Sequence, residues 1–439
     1  MADRSVGALI VGGGAAGAAC AEALHEGGFG GDVLLVGREP DPPYERPPAS
    51  KGYLAGTQDR ASCLFHDDAW YAAHSTELAV RTSVMRLDTS ARTATLSTKE
   101  VVGFGVALIA TGANVRRLRV DGAQLQGVHY LRALGNADAI RSDALEAERV
   151  VLVGGSYIAC EVAATLTSLG RRCTMVMLED APLSTHFGAA AGEFFGALLR
   201  GRGVELVCGD GLERIEGATQ GTSSSGTSTQ RTSSSGTSTQ RTPSSGTSER
   251  VARVVCASGR ELAADIVVMG TGAMPDVMLA RAAGLELGET GGVSCSADLE
   301  TSVRGIWAAG DMCEYDSVLH GGRVRIEHFE VARSQGAAVA AAMLGTRRPY
   351  SELPYFWTDL SDWATAEWVG LAEAPEREIV RGSIADGAFS VLQLARGRLV
   401  AALSVGRGED LAHARRLIVA GTDLSGREAE LAGGELDAL

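Results

Sequence analysis

Two glycine-rich turns carry the clearest chemistry in this sequence. The first reads Gly12-Gly13-Gly14-Ala15-Ala16-Gly17 and stands between an apolar run at 8–11 and a small-residue stretch at 18–25. A Gly-x-Gly-x-x-Gly turn between strand and helix suits the pyrophosphate of a dinucleotide. The first glycine makes the turn, the second lets backbone approach the phosphates, and the third lets the helix pack on the strand. The helix then aims its free amides and the positive end of its dipole at the same phosphates. About twenty residues further on an acid is expected to bind the ribose hydroxyls. Arg38 holds the neater position and Glu39 follows it, so Glu39 is the candidate.

The second turn, Gly154-Gly155-Ser156-Tyr157-Ile158-Ala159, departs from this pattern at two glycines, with serine at the second place and alanine at the third. Glu179 closes the strand-like run that follows. A carboxylate there hydrogen-bonds a free ribose 2′-hydroxyl and repels a 2′-phosphate, which predicts NADH over NADPH. Arg171 and Arg172 precede the same run and pull the other way.

Each turn needs a strand before it and a helix and strand after it, and the sequence supplies both sets, at 8–36 and at 149–178. The expected class is α/β, with two Rossmann-like nucleotide-binding domains. Beyond Gly345 the texture changes: Trp357, Trp363 and Trp368 cluster, and alternating runs near 389–394 and 399–403 predict antiparallel strands of a C-terminal α+β domain. Between strand-like pieces at 212–215 and 251–256 lies a Ser/Thr/Gly tract at 221–250, built on a tandem decapeptide that begins at Thr222. Without an apolar face it has nothing to bury, so a disordered insert in an elongated hairpin is expected.

Composition narrows the function. A formal charge of −14 argues against a nucleic-acid or anionic-membrane binder. The longest apolar stretch, 101–113, is broken by glycines and falls short of the ~20 residues of a spanning helix. The N-terminus runs straight into a strand-like segment, which predicts residence in the cytoplasm. The eight cysteines are scattered without a CxxC pair, so no metal site and no dithiol centre is expected. Of 40 basic residues only Lys51 and Lys99 are lysines, which singles out Lys51 within the motif described next.

Tyr44-Glu45-Arg46-Pro47-Pro48-Ala49-Ser50-Lys51, Ala110-Thr111-Gly112, Tyr157-Ile158-Ala159-Cys160-Glu161, Gly270-Thr271-Gly272-Ala273-Met274-Pro275, Ala308-Ala309-Gly310-Asp311 and Pro354-Tyr355-Phe356-Trp357-Thr358-Asp359, taken with the first turn, resemble the oxygenase-coupled NADH-dependent ferredoxin reductases. The resemblance covers essentially the whole chain except 221–250. It implies an FAD-binding domain at 1–114 and 273–328, an NAD-binding domain at 115–272, and a reductase domain at 329–439. It implies FAD and NADH as cofactors, with hydride passing to the flavin and single electrons leaving to a [2Fe–2S] ferredoxin that feeds an oxygenase or P450. Arg46 would meet the FAD pyrophosphate, Asp311 the ribityl chain and Phe329 the flavin. Ala110, Thr111, Gly112, Gly272 and Gly310 would line the cofactors, and Lys51 and Glu161 would pair where flavin and nicotinamide touch. Trp363 or Trp368 is expected either beside the flavin or in the core. Arginine clusters at 116–119, 323–325 and 415–416 would offer docking faces to an acidic ferredoxin. A monomer or homodimer is expected. The alternative reading is a slow redox sensor of the apoptosis-inducing-factor kind. A thiol reductase would need a cysteine after the first turn, and the nearest is Cys63.

Overall fold

The computed structural model describes residues 2–218, 249–372 and 374–439. Nearly all of the 221–250 insert therefore lies outside the described residues. Its flanks form a hairpin: strand Leu212–Ala218 pairs antiparallel with Arg250–Cys256.

In the first nucleotide fold, β1 (Arg4–Val11) leads into α1 (Ala15–Glu26) and then β2 (Val33–Val36). β1 lies parallel to β2 on one side and to Val101–Ile109 on the other. Strands covered on both faces must be apolar throughout, which is why Leu9, Ile10, Leu34 and Leu35 are all fully buried. Ile306–Ala308 returns from far along the chain and adds to Val101–Ile109. The fold is thus assembled from two separated stretches.

The second fold repeats the plan with β3 (Arg149–Val153), α2 (Tyr157–Ser168) and β4 (Arg172–Val176). Its parallel sheet runs Glu205–Val207, β4, β3, Ile266–Met269, Val128–Tyr130. The chain enters and leaves it through Ala113–Val115 and Ala273–Pro275, which pair antiparallel side by side.

One expected boundary moves. Helix α3 (Phe329–Met343) packs along α1, and a Cβ on Gly336 would lie 2.1 Å from the Ala16 carbonyl oxygen. Val331, Val339 and Ala340 join the core of the first fold. The division expected at 328/329 therefore falls too early, because a helix of small residues reads alike on either side of it. Beyond it lies a five-stranded antiparallel sheet that starts with β5 (Tyr355–Leu360) and carries the helix Gly408–Ala420.

Candidate active site

The end of β1 and the start of α1 make the first cradle. Gly12 has φ +125°, and a Cβ there would lie 2.1 Å from the Ala110 carbonyl oxygen. A Cβ on Gly17 would lie 2.0 Å from the oxygen of Gly12. Both glycines are demanded by the chain itself. Gly14 differs, since a Cβ there meets nothing within 4 Å. It faces a cavity of about 720 Å³, lined also by Ala15, Ala16, Ala110, Thr111, Gly112, Gly310 and Phe329. The bare backbone at Gly14, the α1 N-terminus and a long cavity fit a dinucleotide of FAD's size, with room at the turn that any side chain would fill.

Polar groups ring this cavity. Tyr44 donates to Glu39 Oε2 at 2.5 Å, and the Arg46 guanidinium pairs with Glu39. Arg46 also bonds the Tyr44 hydroxyl at 2.7 Å and the Arg132 carbonyl at 2.8 Å. Burial pushes the Glu39 carboxyl up, but the charge and hydrogen bonds of Arg46 and the bond from Tyr44 outweigh it and hold it below the usual range. Both Glu39 oxygens are thus engaged by protein donors. Arg38 stands at the rim, paired with Asp276 at 3.0 Å and bonded to Asn114 at 2.6 Å. Asp311 receives Arg132 at 2.9 Å.

The second turn is tighter. Gly154 has φ +111°, and a Cβ on it would lie 2.3 Å from the Gly270 oxygen. Ser156 donates its hydroxyl to that same oxygen at 3.0 Å, turning its side chain back into the protein. Glu179 lies across Gly155, whose Cβ would sit 3.2 Å from Glu179 Oε2. Gly272 follows in the crossing between the folds, where its carbonyl accepts from the Arg116 amide. None of Gly154, Gly155, Ser156, Glu179 and Gly272 lines the 720 Å³ cavity or the smaller one described next.

The two folds meet at a cavity of about 190 Å³ lined by Arg46, Ser50, Lys51, Tyr157, Ile158, Glu161, His328, Phe329, Phe356 and Trp357. It shares Arg46, Arg132, Glu327 and Phe329 with the larger one, so the two are neighbours. Lys51 Nζ bonds Glu161 Oε1 at 2.7 Å, and Glu161 is only 6% exposed. Ser50 Oγ donates to Glu161 Oε2 at 2.5 Å and Thr358 Oγ1 to Oε1 at 2.7 Å. The motif holding Lys51 and the helix holding Glu161 are locked together by Thr165 Oγ1, which donates to the Ser50 carbonyl at 2.8 Å. Burial drives the His328 imidazole down to about 4, so it is neutral at physiological pH, and its Nδ1 is enclosed without a hydrogen-bond partner.

Sequence reasoning missed Arg132, His328 and the Thr358 hydroxyl. Thr358 sits in a motif quoted for its resemblance alone, and no spacing links it to Glu161, 197 positions away. Neither Trp363 nor Trp368 lines either cavity. Trp368 is buried beside Phe187 at 5.6 Å, Trp363 lies under Arg202, and Trp357 is the tryptophan at the site. Cys63 is fully buried, burial raises its thiol, and no cysteine lines either cavity among the described residues. No described helix is long and apolar enough to cross a membrane.

Two nucleotide folds that meet at one buried ion pair, the first with a cavity of dinucleotide size, mark an oxidoreductase that works with FAD and NAD(H). The chain belongs to the pyridine nucleotide-disulphide oxidoreductase family, whose model matches residues 7–336, and a reductase C-terminal model matches 355–436. It is 32% identical to the chlorobenzene dioxygenase ferredoxin reductase component of Cupriavidus sp. (strain PS12), over 94% of this chain and 92% of that one. It is also 32% identical to the anthranilate 1,2-dioxygenase system ferredoxin–NAD(+) reductase component of Burkholderia cepacia, over 94% of each. Among solved structures it resembles the covalent putidaredoxin reductase–putidaredoxin complex, with TM-score 0.85, 29% identity and 98% of both chains covered.

Proposed function

We propose that this protein moves reducing equivalents from NADH to a [2Fe–2S] ferredoxin that serves an oxygenase or P450. The observation that carries this reading is the buried Lys51–Glu161 pair, at 2.7 Å, in the cavity where the two nucleotide folds meet. When bound, FAD accepts the two electrons of a hydride and releases them one at a time. The chain's own residues do the rest. The turn at Gly12–Gly17 and Arg46 hold one dinucleotide, and Glu179 and the turn at Gly154 select the other. Phe329, Phe356 and Trp357 wall the junction from water, while Glu161 fixes the Lys51 ammonium at its floor. With no cysteine on either cavity, the reading needs no thiol relay.

An exit for single electrons is supported by a run of rings. From the cavity, Phe329 stacks with Phe65 at 6.1 Å, and Trp357 meets Phe329 at 6.2 Å and Tyr355 at 6.2 Å. Arg333 lies over Phe65 and Arg415 over Tyr355, giving each outer ring a cation that favours an acidic carrier. Arg323 and Arg325, by contrast, are tied to Asp316 and Glu327.

The test is anaerobic reduction by NADH followed by addition of a [2Fe–2S] ferredoxin and cytochrome c. Ferredoxin-dependent reduction of cytochrome c is the expected result. Rapid bleaching of the flavin with no transfer to ferredoxin overturns the reading.

A further inference from the structure

Three parts of the chain converge on the Glu161 carboxylate. Ser50 and Lys51 come from the motif after the first fold's second strand, Glu161 itself from α2 of the second fold, and Thr358 from β5 of the C-terminal domain. Thr358 is fully buried, and its hydroxyl donates to Glu161 Oε1, the same oxygen that Lys51 Nζ bonds. The next residue on β5, Asp359, has Oδ2 4.0 Å from Lys51 Nζ and is itself held by Thr365 Oγ1 at 2.7 Å. Lys51 therefore stands between two carboxylates, one at each distance. The terminal torsion of a glutamate is broad, so only its hydrogen bonds fix the plane of the carboxylate.

We infer that Thr358 is a positioning residue of the NADH-oxidising centre, fixing the Glu161 carboxylate toward Lys51, so that the C-terminal domain completes the junction of the two nucleotide folds. This rests on the proposed function, which places hydride transfer at the Lys51–Glu161 pair. Without the threonine hydroxyl, Oε1 loses one of two donors inside a buried site, the carboxylate turns, and Asp359 competes for the ammonium. Ser50 cannot replace the lost bond, since it is engaged on Oε2.

The experiment compares FAD-loaded wild type with Thr358→Val, Thr358→Ser and Glu161→Gln. Three quantities are read: the limiting rate of FAD reduction by NADH in stopped flow, the dissociation constant of NADH, and the midpoint potential of the bound FAD against reference dyes. Thr358→Val keeps the shape and removes the hydroxyl. It is expected to slow the limiting rate about three- to tenfold, the cost of one hydrogen bond, to shift the potential, and to leave the dissociation constant within about twofold. Thr358→Ser is expected to restore both rate and potential. If Val matches wild type in both while Glu161→Gln departs from it, Thr358 only packs and the inference falls alone. Equal impairment by Val and Ser overturns it too, because the methyl and not the hydroxyl then matters. If Glu161→Gln also matches wild type, the placement of hydride transfer fails and takes this inference with it.

Discussion

The two glycine turns share a backbone plan and differ in what fills it. At the first, Gly12 and Gly17 are forced by neighbouring carbonyls while Gly14 is left facing open space. At the second, Gly154 is forced in the same way, but the position matching Gly14 is Ser156, whose hydroxyl is spent on Gly270. The first and third glycines of the pattern, or the alanine at 159 that packs on Gly270, serve the chain. The second, at Gly14, is required by no contact within the chain, which leaves it to the ligand of the proposed function. A fingerprint therefore mixes two kinds of constraint, and the structure separates them.

That separation makes the largest effect testable. Gly12→Ala places a Cβ 2.1 Å from a backbone oxygen at φ +125°, so strain and overpacking add. A loss of about 2–5 kcal/mol in stability is expected, with FAD lost alongside it. Gly14→Ala meets no protein atom within 4 Å, so the apoprotein should melt within a degree or two of wild type while FAD binds at least about tenfold more weakly. Thermal melts of apoprotein together with FAD titrations check both. Equal melting losses for the two variants would erase the distinction between chain and ligand.

Next in size is Glu179, which stands across Gly155 at the second turn and has no counterpart in open contact at the first, where Glu39 is held by Arg46 and Tyr44. If the Glu179 carboxylate reads the ribose 2′-hydroxyl, Glu179→Gln gives up a charge-assisted bond and a repulsion. Binding of NADH is expected to weaken about tenfold, and the preference over NADPH to narrow by a similar factor. Competitive binding of both nucleotides measures it, and an unchanged ratio would leave the two acids equivalent.

Much of this comparison was legible in sequence because it is local. Strand, turn, helix and strand lie within thirty residues each, and hydrophobic runs and glycine spacing report them directly. The α/β class, the two nucleotide folds and the α+β end followed from that. What escaped is non-local. The packing of α3 on α1 spans more than 300 positions, and small residues that allow close approach carry no sign of which partner they approach. Thr358 reaches Glu161 from another domain, and the Arg38–Asp276 pair bridges 238 positions. Spacing makes Glu39 a candidate, but that its carboxylate is held by Arg46 and Tyr44 is a property of side-chain directions no spacing records.

The smallest expected effect bears most directly on the difference between the turns. Ser156→Gly converts the second turn to the glycine pattern of the first at its ligand-facing place. The hydroxyl that bonds the Gly270 oxygen at 3.0 Å is lost, and so is a neutral bond of about 1 kcal/mol. Ser156 precedes α2 but makes no side-chain cap bond, so glycine forfeits no cap there. Backbone freedom rises, yet Gly154 still fixes the turn through its contact with Gly270. The melting temperature should fall by a few degrees at most, and NADH affinity should change less than about threefold. A gain of tenfold or more would mean that the serine had been obstructing the phosphates after all, and that the second turn is constrained by its ligand as the first one is.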